Sequence, residues 1–324
     1  YFFSNLYWIS ISLTFDENFK FLIPITLFLI PAFLAIFYGL ISFVFLILKP
    51  KKVTASFFLF SLIFGLSEYI RGLILTGFPW NLIAYSFSNH LEILNITSVI
   101  GTYGFNLICI SLFISPAVFI LRDTRSDIWL CIFFLLLTII SYLYGSQSKK
   151  YFNETKINSF EYKVRVIGSN IKLDRFYYNV DPIKAIEDLI KVSKPDKNEK
   201  TIFVWPEGII PGISQEKLVD YKWLFEKNFN ENHLLVFGIN SKSSEKGVVK
   251  YFNSLTLYDH NLNVLNSYNK INLVPFGEFL PLESVLKKIG LRTLTNNYQS
   301  YSKGIERNII KIEENNSSLK FLPL

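Results

Sequence analysis

The stretch FLIPITLFLIPAFLAIFYGLISFVFLIL, residues 21–48, contains no charged residue. A helix needs about 20 consecutive apolar residues to cross the hydrocarbon core of a bilayer. Residues 93–121 and 128–148 are also uncharged, and residues 1–14 are typical of the end of an earlier span. The first half of the chain is therefore predicted to form several membrane-spanning helices.

A fourth complete span is predicted to begin near Val53, and it contains both Glu68 and Arg71. A lone charge in the hydrocarbon costs about 2.5–3.5 kcal/mol on insertion scales. Since the two residues are three apart on one helical face, they can neutralise each other. Two interpretations stay open: an ion pair near the helix end, or a polar contact to lipid headgroups or to the hydrophilic half.

The charges divide the chain into two halves. Residues 1–148 hold seven Lys or Arg and six Asp or Glu, out of 33 and 26 in the whole chain. We therefore predict a transmembrane helical domain over 1–148 and a water-soluble domain over 149–324. The net charge of +7 is spread along the chain, a pattern that does not favour a nucleic-acid partner and that mild attraction to anionic membrane lipids explains equally well.

The basic residues of the short loops predict the orientation, because cytoplasmic loops are enriched in Lys and Arg. Residues 49–52 and 122–125 are two such loops, whereas residues 76–92 contain neither Lys nor Arg. Counting spans from these loops, the chain leaves the membrane after residue 148 on the outer side. The hydrophilic domain is therefore expected to be extracytoplasmic.

The hydrophilic half alternates strand and helix patterns. Strands are predicted at 162–166, 201–205, 233–239, 251–258 and 263–268, and helices at 182–192 and 215–229, from the period of the apolar residues and a Pro at the first helical turn. This order predicts a layered α/β domain.

The tetrapeptide Trp205-Pro206-Glu207-Gly208 directly follows a predicted buried strand. Ligands of α/β folds gather at the carboxyl ends of strands. A partly desolvated carboxylate there has a raised proton affinity and can act as a general base. The alternative is a polar residue that binds backbone amides at the strand end.

The segment NKINLVPFGEFLPL, residues 269–282, contains Lys270 and Glu278. An ammonium group that shares a pocket with Glu207 could stabilise the oxyanion of a tetrahedral intermediate. Glu278 could orient that lysine or a leaving group. A lysine near a hairpin is more often a solvated surface residue, but the dense Pro and Gly pattern after it indicates a defined turn.

These motifs, in this order, resemble the nitrilase (C–N hydrolase) superfamily and, more narrowly, the apolipoprotein N-acyltransferase family. The membrane half adds EYIRGLILTGFPWN, residues 68–81, and YWISISL, residues 7–13, both of which are similar to that family. The resemblance implies a nitrilase-like αββα domain on the outer, periplasmic face of the bacterial inner membrane. It also implies that Glu207 is the general base, Lys270 the oxyanion-stabilising lysine and Glu278 an accessory glutamate.

In that family a cysteine nucleophile attacks a phospholipid acyl ester and forms a thioester. The acyl chain then passes to the α-amine of an S-diacylglyceryl-cysteine at the N-terminus of an apolipoprotein. The implied partners are thus a phospholipid donor, an apolipoprotein acceptor and membrane lipids. The glutamate serves as base for the thiol, and His90, His233 and His260 show no triad or metal spacing, so no cofactor or metal is expected.

The chain departs from the family pattern at both ends. It contains no Met and opens with Tyr1-Phe2-Phe3 inside an apolar run, so a truncated N-terminus is expected. Residues 319–324 resemble the strand that leads to the family's cysteine, which is therefore expected beyond Leu324. Cys109 and Cys131 lie in apolar runs and are expected to be small apolar residues of the spans, unable to substitute. Phe176-Tyr177-Tyr178 stands where relatives usually have a Trp.

A chain that lacks the nucleophile is expected to be inactive, as a fragment or as the product of a broken gene, with the α/β domain incomplete at its C-terminus. Two alternatives remain: a membrane-tethered amidase or nitrilase that acts on small amides, and a decayed pseudoenzyme that serves as a membrane scaffold.

Overall fold

The chain folds into two compact units, Tyr1–Lys156 and Ile157–Leu324. The computed structural model describes residues 1–14, 17–48, 50–74, 77–155, 160–168, 181–210, 212–245, 247–275, 277–279, 300–314 and 317–323. The aromatic run 176–178, much of the segment that follows Glu278, and Leu324 lie outside these ranges.

Long apolar helices dominate the first unit. After the short helix α1 (Phe2–Leu6) and two 3-10 segments (Tyr7–Thr14 and Glu17–Leu22), the helices are α2 (Ile23–Leu48), α3 (Val53–Arg71), α4 (Leu91–Leu94), α5 (Thr97–Leu121) and α6 (Ile128–Glu154). Helix α5 is kinked at Gly101, whose φ of 72° is not helical. In the part of the chain that the structure describes, four helices are long and apolar enough to cross a membrane: α2 with its preceding turn, α3, α5 and α6. The four predicted spans are confirmed as helices.

Glu68 and Arg71 form an ion pair in the interior of the first unit. Their side chains are 3.0 Å apart and each is only 1% exposed. Glu68 also accepts hydrogen bonds from Tyr38 on α2 (3.0 Å) and Asn106 on α5 (2.8 Å). The carboxylate therefore ties three spans together, as buried charges require when water is excluded.

Arg71 also binds the loop that follows α3. One guanidinium nitrogen donates to the carbonyl oxygens of Phe78 and Trp80, both at 2.9 Å. Asn106 accepts from the backbone N–H of Ala84 at 2.9 Å. Of the two interpretations of the Glu68–Arg71 pair, the structure thus shows an ion pair, and its described partners are other helices and the 77–84 loop.

Helix α4 lies against the C-terminal part of α6, where Gly145 allows a close backbone approach. A Cβ built on Gly145 would lie 1.8 Å from the carbonyl oxygen of Glu92. One turn further along, Lys149 forms a 2.7 Å ion pair with Glu92. The 77–94 segment and the end of α6 therefore lie at the same end of the first unit.

Gly145→Ala is expected to displace α4 from α6 and to lower the melting temperature of the detergent-solubilised protein, because the added methyl group meets backbone that cannot rotate away. The control is Gly39→Ala in α2, where a Cβ has open space and alanine is favoured over glycine in a helix by up to about 1 kcal/mol. Equal melting temperatures for the two variants would contradict the close contact.

The second unit is built on a mixed five-stranded sheet with the order β1-β2-β3-β4-β5. Its strands are β1 (Lys163–Val166), β2 (Thr201–Val204), β3 (His233–Glu245), β4 (Val248–Asp259) and β5 (Val264–Asn269). The first three are parallel, and β4 and β5 continue as antiparallel hairpins. A separate pair, β6 (Ile310–Glu314) and β7 (Ser317–Phe321), is antiparallel.

Each face of the five-stranded sheet is covered by its own apolar core. On one face, helices α7 (Pro182–Ser193) and α8 (Lys222–Asn228) pack over Phe203, Trp205 and Phe237. On the other, β6 and β7 pack over Val236 and Leu257. The described residues thus form a helix layer, a sheet and a second sheet. The prediction of a membrane helical domain followed by an α/β domain is confirmed.

Several boundaries differ from those predicted. The helix expected at 215–229 is a 3-10 turn, Lys217–Tyr221, followed by α8. Strands β3 and β4 extend beyond their apolar stretches because they pair residue by residue as far as Glu245 and Val248. Strand β6 was not predicted. In these strands backbone pairing, rather than apolar periodicity, sets the length.

Candidate active site

Glu207 lies on the loop that leaves the carboxyl end of β2. Trp205, two residues earlier, is buried and stacks on Phe237. Its backbone N–H donates to the carbonyl of Val236 (2.9 Å). Gly238 on β3 lies beneath the loop, and a Cβ there would be 2.9 Å from the Cα of Glu207. The bonded and stacked Trp205 and the close contact with Gly238 therefore fix the position of the Glu207 backbone.

Lys270 follows directly after β5, and its backbone N–H donates to the carbonyl of Asn253 on β4 (2.8 Å). Its ammonium nitrogen lies 2.9 Å from Oε1 of Glu278 and 3.6 Å from Oε1 of Glu207. The structure thus brings together all three residues that the sequence singled out, with the cation between two carboxylates. The alternative of a solvated surface lysine does not describe Lys270, whose side chain is 20% exposed.

Glu278 is the most buried member of the group, with 12% of its side chain exposed. Its backbone N–H donates to the carbonyl of Val274 (2.8 Å), and its Oε2 accepts from the N–H of Val274 (2.7 Å). These two bonds join Glu278 to Val274. The other carboxylate oxygen, Oε1, accepts the hydrogen bond from the Lys270 ammonium.

Asn253 links the two carboxylates, and sequence reasoning did not identify it. Its Nδ2 donates to Oε1 of Glu207 (2.5 Å) and to Oε1 of Glu278 (2.6 Å). Asparagine is depleted in strands, so an Asn inside the alternating Tyr251–Tyr258 pattern was the available signal. Which chain segments it bridges depends on the tertiary fold.

The electrostatics keep Lys270 and Glu278 charged. Partial burial by itself lowers the pKa of Lys270, but its hydrogen bond to Glu278 and the charges of both carboxylates outweigh this and raise it. Burial by itself raises the pKa of Glu278, yet the backbone N–H of Val274 together with Lys270 and Asn253 lowers it. The pair therefore stays ionised across the neutral range.

The side chain of Glu207 is 62% exposed, so it is not the partly desolvated carboxylate that the sequence predicted. Instead, the carboxylate faces outward while its Oε1 is held by Asn253. Such a group is reachable by a reacting molecule. Its role as a base stays a prediction.

The described end of the chain lies beside the segment that carries Lys270. Ile271 packs in the same apolar core as Ile310 on β6 and Phe321 on β7. Cys109 and Cys131 are free thiols on α5 and α6 of the first unit. Among the described ranges no group of three or more His, Cys, Asp or Glu side chains is arranged to hold a metal ion.

Comparison with known proteins agrees with these motifs. Residues 1–115 match the apolipoprotein N-acyltransferase N-terminal domain. The chain is 28% identical to the apolipoprotein N-acyltransferase of Rhodopseudomonas palustris (strain ATCC BAA-98 / CGA009), a match over 96% of this chain and 60% of that protein. It is 29% identical to that of Rickettsia prowazekii (strain Madrid E), over 94% and 60%.

The chain therefore spans about 60% of the length of these curated relatives. A crystal structure of an N-terminal amidase is 14% identical with a TM-score of 0.27, over 48% of this chain and 37% of that one, a likeness too slight to support an argument. The predicted resemblance to apolipoprotein N-acyltransferases is confirmed over nearly the whole chain.

Proposed function

We propose that this chain carries the membrane spans and the base–cation part of the active site of an apolipoprotein N-acyltransferase. The observation that carries the proposal is the Lys270 ammonium held between Glu207 and Glu278, with Asn253 bonded to both carboxylates. The whole-chain similarity to named N-acyltransferases supports it. The orientation inferred from the basic loops puts this site on the periplasmic face of the bacterial inner membrane.

In the first half-reaction, Glu207 takes the proton of a cysteine thiol, and the thiolate attacks the ester carbonyl of a phospholipid. The negative charge that develops on the carbonyl oxygen is stabilised by the Lys270 ammonium. When the intermediate collapses, the C–O ester bond breaks, a thioester forms, and the departing lysophospholipid oxygen receives the proton from Glu207.

In the second half-reaction, the α-amine of an S-diacylglyceryl-cysteine attacks the thioester and Glu207 accepts the amine proton. The C–S bond breaks as the amide forms, and Glu207 returns the proton to the departing thiolate. Glu278 holds Lys270 in place throughout. From the family resemblance we expect the nucleophilic cysteine beyond Leu324. A polypeptide of residues 1–324 alone would then hold the base and the cation without the nucleophile and would be inactive.

The test uses the full-length protein in membrane vesicles with a phospholipid that carries a labelled acyl chain. We expect a labelled protein adduct that neutral hydroxylamine cleaves, and transfer of the label when an S-diacylglyceryl-cysteine peptide is added. Hydrolysis of small amides without a lipid adduct would support the membrane-tethered amidase instead. Neither activity would support the decayed scaffold, and both of these outcomes would overturn the proposal.

A further inference from the structure

Residues 300–304, the strap, cross the segments that carry the site residues. The backbone N–H of Tyr301 donates to the carbonyl of Glu278 (2.8 Å), and that of Gly304 donates to the carbonyl of Lys270 (2.9 Å). Between them, the N–H of Ser302 donates to the carbonyl of Tyr251 on β4 (2.6 Å). One short segment thus binds the backbone of two site residues and the edge of the sheet.

The strap contacts are important because Lys270 and Glu278 both follow β5, the last strand of the five-stranded sheet. Strand β5 ends at Asn269, and beyond it the pairing with β4 adds one described hydrogen bond, from the N–H of Lys270 to the carbonyl of Asn253 (2.8 Å). A Cβ on Gly304 would lie 2.0 Å from the carbonyl oxygen of Asn269, so the backbones of the strap and of β5 are in close contact there. The strap is therefore a further restraint on the backbone of Lys270 and Glu278, one that holds their carbonyl groups.

The strap is in turn tied to the sheet by a side chain. The Tyr301 hydroxyl donates to Oδ1 of Asn240 on β3 at 2.9 Å. Asn240 pairs directly with Asn253 across β3 and β4, so both side chains are on one face of the sheet. The backbone carbonyl of Asn240 also accepts from Gln215 (2.7 Å), where the loop that began with Glu207 returns to the sheet.

We propose that the Tyr301 hydroxyl and the Asn240 amide form a latch that fixes the strap, and through it Lys270 and Glu278, relative to Glu207. Both are positioning residues. The latch joins all three parts of the site: the strap over Lys270 and Glu278, the strand opposite Asn253, and the returning loop of Glu207. Its effect on acyl transfer rests on the function proposed above, whereas its effect on the geometry of Lys270 does not.

The first test is Tyr301→Phe in the full-length protein, which keeps the ring and removes the hydroxyl. Since misplacement of a reacting group by about 1 Å can cost about 100-fold, we expect the kcat of acyl transfer to fall about tenfold while KM changes little. The matched control is Tyr258→Phe, because the Tyr258 hydroxyl is buried without a hydrogen-bond partner in the described structure. It should leave kcat unchanged.

A double-mutant cycle separates the latch from two independent contacts. If Tyr301 and Asn240 act through their shared bond, Asn240→Ala should reduce kcat as Tyr301→Phe does, and the double variant should be no worse than either single one. Effects that multiply in the double variant would overturn the latch, as would a Tyr301→Phe variant with wild-type kcat.

The reactivity of Lys270 toward an amine-acetylating reagent, followed by mass spectrometry against pH, reports the geometry without catalysis. Loosening the strap weakens the hold of Glu207 and Glu278 on the ammonium, so Lys270 should become reactive at lower pH in Tyr301→Phe and not in Tyr258→Phe. An unchanged Lys270 profile overturns the latch. If the wild-type protein transfers no acyl chain but this shift occurs, the proposed function fails and the latch stands.

Discussion

Replacing Glu207 by glutamine is expected to lower acyl transfer by the full-length protein by about 10³-fold, since a general base contributes roughly 10²–10⁴-fold. Glutamine is nearly isosteric and keeps the Oε1 acceptor for Asn253. What is lost is the negative charge 3.6 Å from the Lys270 ammonium and the ability to take the thiol proton. The fold should survive, because the carboxylate is mostly exposed.

The measurement is the rate of appearance of the labelled thioester, together with the melting temperature. Glu226→Gln serves as the control, because Glu226 belongs to a surface ion pair with Lys222 on α8 and should be neutral in both measurements. A Glu207→Gln variant that retains more than a tenth of the wild-type rate would remove Glu207 from the chemistry. A variant that is slow and also unfolds early would point to a structural role.

Replacing Glu68 by leucine is expected to be among the most destabilising single changes in the first unit. Removal of one partner leaves a buried charge uncompensated, which costs about 3–5 kcal/mol. Here the change would leave the buried Arg71 without its counter-charge. The Tyr38 and Asn106 donors that now bind Glu68 would also lose their acceptor. We expect a large fall in melting temperature in detergent and a loosened 77–84 loop.

The chain offers a matched control for this change. Glu17 and Lys20 are also three residues apart and form an ion pair, but both side chains are exposed, so Glu17→Leu should not shift the melting temperature measurably. Removing both charges in Glu68→Leu/Arg71→Leu should recover part of the loss, because no unpaired charge remains. A Glu68→Leu variant as stable as Glu17→Leu would show that the buried pair is dispensable.

Glu207 and Glu68 lie in different units of the chain and have different surroundings. Glu207 lies on an exposed loop and is expected to affect rate without stability. Glu68 lies among helices and is expected to affect stability first, because it holds three spans and, through Arg71, the loop after α3. Measuring both quantities on both variants distinguishes a reacting group from a structural one.

The amino-acid sequence by itself determined the membrane helices and the order of strands and helices in the second unit. Span detection depends on local composition, since each helix satisfies its own backbone and needs only length and apolarity. The buried strand before Trp205 and Glu207 could also be predicted from a short apolar run. Lys270 and Glu278 could be selected because an unusual turn pattern follows a hairpin.

Only the tertiary structure decided which side chains meet. Asn253 reaches Glu207 and Glu278 because β3 and β4 pair in one register, and a shift by one residue would turn it to the opposite face. The same holds for Asn240 and Tyr301, 61 residues apart, and for Asn106 and Glu68, 38 apart. Contacts across such separations depend on how strands and helices are aligned in space, and local periodicity carries no information about that alignment.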